Sequence, residues 1–268
     1  MSRTLGIAFA AATHALFGVT VWYLFWFLHG PVAPSGGVLL RDGWLALQFA
    51  LLHSLLLWPP TRRRLTAWIP APFYGCFFCM ATCLSLLLTI AFWRSSPIVL
   101  WSLEGGGKTA MEIAFLAAWV ALFYSLSLTG LGYQTGWTPF WYWLRGRPAP
   151  RRDFVPRGAY HFLRHPIYLS FLALVWLTPR MSLDHAVLTG IWTLYIFVGS
   201  YLKDRRLVHF LGDAYRAYQA RVPGYPLVPF GPLGKLRPNV DALPPSAPAE
   251  PAPIATNRFD RVPLMKSR

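Results

Sequence analysis

Apolar runs alternate with short polar and cationic loops along most of this chain. Leu5–Leu28 is apolar for over twenty residues, with His14 its one strongly polar interruption. That length crosses a bilayer core of ~30 Å. It exceeds the ~7–15-residue apolar core of a secretory signal, so a retained span is expected. Trp44–Trp58 is a shorter run carrying Gln48 and His53, which should face a bundle interior. Pro59-Pro60 closes it, and Arg62-Arg63-Arg64 follows. Phe73–Trp93 and Ala110–Gly132 are the next two runs, separated by a polar loop containing Gly105–Gly107. Tyr133–Leu163 mixes Trp137, Trp141 and Trp143 with Arg145, Arg147, Arg151 and Arg152, a composition suited to a membrane interface. Ile167–Trp176 and Ala186–Tyr201 then form an apolar hairpin. In Leu202–Val222 the residues Leu207, Phe210, Leu211, Ala214, Tyr215 and Tyr218 recur at helical period, which predicts an amphipathic helix. Gly231–Arg268 is rich in Pro and Ala without apolar periodicity and reads as a disordered cytoplasmic tail.

The pattern predicts an all-α fold: a polytopic transmembrane helix bundle of five or six spans, residues 1–230, followed by the tail, residues 231–268. Composition agrees. The 268 residues are 55% hydrophobic and 13% charged, about half the charge of a soluble domain. The net charge of +15 would suggest nucleic acid in a soluble protein. Here the cations lie in loops between apolar runs, so they act as topology determinants facing an anionic leaflet, with both termini cytoplasmic. No nucleic-acid partner is expected. Cys76, Cys79 and Cys83 share one helical face and read as soft packing residues. Neither a disulfide nor a metal site is expected of them.

The chemistry-bearing stretch is Tyr160-His161-Phe162-Leu163-Arg164-His165-Pro166-Ile167-Tyr168. It joins a guanidinium, an imidazole and phenols where a polar loop meets an apolar run, and Pro166 suits the first turn of the following helix. Ionisable groups at membrane depth are functional candidates. A plainer role for Arg164 and His165 is anchoring the loop to lipid phosphate. After the hairpin come Leu207, Phe210, Gly212, Tyr215, Tyr218, Val222 and Pro223.

This ordered pair of motifs resembles the integral-membrane methyltransferases of the isoprenylcysteine carboxyl methyltransferase and phospholipid methyltransferase superfamily. Leu52-His53-Ser54, Pro70-Ala71-Pro72, Gly146-Arg147-Pro148, Gly158-Ala159-Tyr160 and Trp176-Leu177-Thr178-Pro179-Arg180-Met181 with His185 add a closer resemblance to the bacterial methanethiol S-methyltransferases. The resemblance implies a protein of the bacterial inner membrane that takes S-adenosylmethionine from the cytoplasm and a small thiol from the lipid. It implies Arg164 on the cofactor's carboxylate, and His165 positioning the cofactor or moving a proton. Tyr160, Pro166, Tyr168 and Tyr215 would line the site, Asp204 would meet the ammonium or ribose, and His53 would be the base for the thiol. Lys203 departs from the family, which usually has an acid there. Asp204 alone doing the acidic work, a lysine snorkelling to the surface, and weakened activity all remain open. So do a prenylcysteine or lipid methyl acceptor, and a non-enzymatic membrane accessory or transport role.

Overall fold

A computed structural model of the chain describes residues 2–30, 39–150 and 154–236. Helix α1 (Arg3–His29) is the first apolar run, capped where the Ser2 hydroxyl accepts the Leu5 amide. α2 (Leu39–Leu57) stops before Pro59-Pro60, and those prolines start the short cationic α3 (Pro59–Leu65). α4 (Tyr74–Phe92) and α5 (Gly105–Leu128) flank strand β1 (Val99–Ser102). α6 (Leu131–Gln134) and α7 (Trp137–Leu144) form the start of the long loop. α8 (Pro166–Trp176), strand β2 (Arg180–Ser182), α9 (Leu183–Leu211) and α10 (Asp213–Arg221) complete the chain order. Among the described residues, four helices are long and apolar enough to cross a membrane: α1, Ala71–Phe92, α5 and α9.

The helices pack in a closed sequence. α1 lies on α4, α4 on α2, α2 on α9, α9 on α8 and α8 on α5. Phe25 of α1 meets Phe115 and Trp119 of α5, with ring centroids 5.5 and 5.9 Å apart, and so closes the circuit. Leu24, Leu86, Leu122, Leu174, Leu188 and Trp192 fill the centre. Polar side chains inside the bundle find partners on neighbouring helices, as an apolar surround requires. Gln48 of α2 donates to the Ser85 carbonyl and to Thr89 of α4, each at 2.9 Å. His14 reaches the Ala10 carbonyl at 2.7 Å and the Thr135 hydroxyl at 3.3 Å.

One end of the bundle is closed by the antiparallel β1–β2 ribbon, in the register Val99↔Ser182, Trp101↔Met181 and Ser102↔Arg180. Buried Asp184 accepts there from the Trp93 indole at 2.8 Å and the Ser96 amide at 2.9 Å, so its charge is internally satisfied. The start of α8 and the end of α9 lie at the other end, where the site is built.

Three boundaries differ from the sequence expectation. Gly105–Gly107 begin α5 instead of lying in a loop, and the helix ends before Gly130, whose φ of +78° breaks it. No helix break separates the hairpin from the amphipathic segment: α9 runs on through Leu211 and stops only at Gly212, with φ of +55°. Gly231–Leu236, assigned to the tail, folds back onto the bundle through backbone bonds such as Leu236 N–H to the Gln219 carbonyl at 3.1 Å. The rest of the tail, 237–268, lies outside the described residues. Cys76, Cys79 and Cys83 are buried free thiols in α4, and no cluster of metal-binding side chains occurs among the described residues.

Candidate functional site

The stretch before α8 is drawn inward because Arg164 has acceptors on every side. Its backbone amide donates to the Pro223 carbonyl at 2.9 Å. Its guanidinium, 1% exposed, donates from Nε and Nη2 to Asp204 Oδ2 at 3.0 and 2.9 Å. Nη1 donates to the Val222 and Gly234 carbonyls, both at 2.7 Å, and reaches Gln219 O at 3.4 Å. Nη2 also donates to the Pro232 carbonyl at 2.9 Å. A guanidinium has five N–H donors, and all are occupied by this chain. Arg164 thus ties α9, the end of α10 and the segment Pro223–Leu236 together.

Asp204 is the other half of this knot. Its Oδ2 also meets His165 Nε2 at 3.2 Å, and its Oδ1 accepts from the Tyr215 hydroxyl at 2.5 Å. An ionised carboxylate only accepts, so His165 carries its proton on Nε2 and leaves a lone pair on Nδ1. His165 is fully buried, and Nδ1 has no protein partner. Burial holds the His165 pKa below its ordinary value; the Lys203 and Arg164 cations add to this, against the opposing pull of Asp204. The ring is thus neutral near pH 7. Burial first, then the Asp204 charge, pushes the Tyr215 phenol up, so it remains a donor. Gly224 lets the chain pass tightly over this ring: a Cβ there would lie 3.0 Å from His165 Cδ2 and 2.3 Å from the Leu233 carbonyl oxygen.

Tyr160 and Tyr168 stand beside this knot. Lys203 places its ammonium 5.7 and 5.6 Å from their ring centroids and donates to the Arg164 carbonyl at 3.2 Å. It therefore turns toward the site and does not snorkel away. Pro166 sits in the first turn of α8, as expected. The structure thus gathers Tyr160, Arg164, His165, Pro166, Tyr168, Asp204 and Tyr215 at one end of the bundle.

His53 stands apart from that network. It pairs through Nδ1 with the Tyr195 hydroxyl at 2.5 Å, with the rings of Phe49 and Phe78 5.9 and 5.2 Å away. Tyr168 is the link: its hydroxyl reaches the Gly199 carbonyl at 3.5 Å, one helical turn of α9 from Tyr195. Sequence reasoning missed Tyr195, although a phenol inside an apolar run was its available signal. It also missed Gln219, whose Oε1 is buried without a donor. The segment Gly231–Leu236 gave no signal, because its carbonyls, not its side chains, hold Arg164.

The NnrU protein family matches residues 44–239. The chain is similar to Methanethiol S-methyltransferase 1 of Bradyrhizobium diazoefficiens, at 30% identity over 82% of this chain and 81% of that protein. It is similar to Methanethiol S-methyltransferase of Mycobacterium tuberculosis, at 28% identity over 83% of this chain and 96% of that protein. Nurim of Xenopus laevis is 27% identical over 57% of this chain and 56% of its own length. No solved structure matches.

Two outcomes follow for stability. Truncation after Phe230 removes the Pro232 and Gly234 acceptors and leaves buried guanidinium donors unsatisfied, at about 1–3 kcal/mol each. Thermal unfolding in detergent should show a clear loss for that truncation and little for one after Leu236; equal melting of the two would refute the anchoring role. The second outcome concerns acid. Because folding lowers the His165 pKa, the unfolded chain protonates first as pH falls below about 6.5. Stability contributed by neutral His165 is present above that pH and drains away below it. His165→Gln, which does not titrate, should lose less stability between about pH 7 and pH 5 than the parent protein, read by melting at each pH; an identical acid slope would contradict the assignment.

Proposed function

The chain belongs to the NnrU family, and from that premise we propose that it methylates methanethiol to dimethyl sulfide with S-adenosylmethionine as methyl donor. The observation that carries this reading is His165, buried, oriented by Asp204 through Nε2, and left with an unpartnered Nδ1 acceptor. Two curated relatives named methanethiol S-methyltransferases align over more than four-fifths of the chain and supply the acceptor.

The fit of the donor rests on what the site lacks. His165 Nδ1 and Gln219 Oε1 are buried acceptors without a donor. A ligand bearing N–H groups satisfies both, and S-adenosylmethionine carries an ammonium and an adenine amine. When bound, it supplies a methyl group on a sulfonium whose leaving group is a neutral thioether. His165 holds the ligand's nitrogen end, and Asp204 and Tyr215 fix the ring that does so. Tyr160 and Tyr168 form the walls. Arg164 acts through others: it positions Asp204 and straps Pro223–Leu236 over the site.

The thiol must lose its proton, because the thiolate is the nucleophile. His53 takes that role. In the tautomer that donates from Nδ1 to the Tyr195 oxygen, Nε2 keeps a lone pair for the thiol proton. Phe49, Phe78 and Tyr195 make the surround apolar, which suits a small hydrophobic thiol arriving from lipid and excludes water. A dry site of this kind strengthens the attraction between a thiolate and a cationic donor. The proposed topology is five or six spans in the bacterial inner membrane, with the site and both termini cytoplasmic. It is supported by Arg62–Arg64 of α3 and Arg145 after α7, cations that then face the same compartment.

The test is headspace analysis of cells expressing the full chain and fed methanethiol. Dimethyl sulfide should appear above the level of cells lacking the protein. His53→Ala should lower turnover on the order of a hundredfold with donor affinity of the purified protein unchanged. His165→Ala should weaken donor binding itself. A membrane-inserted protein that releases no dimethyl sulfide and binds no S-adenosylmethionine would overturn the reading.

A further inference from the structure

Lys203 is a partly buried cation without a counter-ion. Among the described residues no carboxylate lies within ion-pair distance of its ammonium. Its neighbour in sequence, Asp204, is fully engaged, with Oδ2 on Arg164 and His165 and Oδ1 on Tyr215. Nζ meets the Arg164 carbonyl at 3.2 Å and the faces of Tyr160 and Tyr168 at 5.7 and 5.6 Å. An ammonium has three donors, so two remain. The two rings and the carbonyl hold the cation in place, yet neither neutralises it, and a desolvated charge without a partner is costly. The site therefore calls for an anion at Lys203.

A second orphan stands close by with the opposite need. His165 Nδ1 is a buried acceptor lacking a donor, and its ring packs edge-on against Tyr168 with centroids 5.5 Å apart. Tyr168 is also one wall of the Lys203 cage. An anion beside one group and an N–H donor beside the other are the two ends of an α-amino acid. The five N–H groups of Arg164 are already taken, two by Asp204 and one each by Val222, Gly234 and Pro232.

We propose that Lys203 binds the carboxylate of the methyl donor's amino-acid end while His165 Nδ1 accepts from its ammonium. The inference rests on S-adenosylmethionine being the donor. It assigns to Lys203 the carboxylate contact that the motif alone suggests for Arg164. A lipid headgroup phosphate shares the anion chemistry and is the competing source at a membrane boundary.

The experiment is calorimetric titration of the purified full chain in detergent with three probes. These are S-adenosylmethionine, S-adenosylhomocysteine and decarboxylated S-adenosylmethionine, which lacks only the carboxylate. The parent protein should prefer S-adenosylmethionine to the decarboxylated probe roughly ten- to hundredfold, the effect of a hydrogen bond to a charged group. Lys203→Met should erase that preference by weakening the carboxylate-bearing ligands alone, S-adenosylhomocysteine included. Lys203→Arg should keep part of it. Lys203→Gln takes the place of Lys203→Met if that variant fails to insert. A Lys203 variant that retains the full preference overturns the inference and leaves the methyltransferase reading standing. So does a variant that loses only the stabilisation given by added phosphatidylglycerol, which would assign the cation to lipid. A parent protein that binds none of the three probes overturns both.

Discussion

The buried pair of Arg164 and Asp204 is the contact on which the site depends. A charge pair out of water is sustained only when its remaining hydrogen-bonding capacity is met. Here it is met by parts of the chain far apart in sequence. Asp204 comes from the long α9, Gln219 and Val222 from the end of α10, and Pro232 and Gly234 from the segment beyond it. His165 and Tyr215 take what remains of the carboxylate. Removing either charge would strand the other, a loss of about 3–5 kcal/mol in comparable buried pairs. The pair therefore gives order to the site more than net stability to the fold.

Beside that order the bundle holds a second, unlike surrounding at His53. Around Asp204 the groups are polar and oriented. Around His53 the neighbours are aromatic rings, with one phenol as the polar partner. Tyr168 spans the gap, edge-on to His165 and with its hydroxyl on the Gly199 carbonyl. A charged donor and a small apolar thiol need such unlike surroundings in close register, because positioning is a large part of what catalysis of a displacement requires. At the closed β1–β2 end Asp184 is satisfied internally.

Much of this was legible in the sequence, for physical reasons. Apolar runs of bilayer length can only be helices, and polar residues within them mark the interior face, as Gln48 and His14 do. The gathering of His165, Asp204 and Tyr215 followed from the resemblance of the two motifs. The role of Arg164 did not, because a guanidinium held by backbone carbonyls leaves no trace in side-chain pattern. The same reason hid Gly231–Leu236, whose composition resembles the tail beyond it. The direction of Lys203 was equally closed to sequence: snorkelling outward and turning inward place the same residue on the same helix, and only the tyrosine rings decide between them. The run of α9 past Tyr201 was obscured by a change from apolar to amphipathic pattern with no helix breaker until Gly212.

The most direct test of this account is a double-mutant cycle on the central pair, with S-adenosylmethionine affinity of the purified chain as the readout. The variants are Arg164→Gln, Asp204→Asn and the two combined. If the pair organises the donor site as one unit, each single change removes most of the binding and the double change costs little more than either, a strongly non-additive cycle. Independent, additive losses would contradict the account, because they would mean that Arg164 and Asp204 meet the donor separately and not through each other.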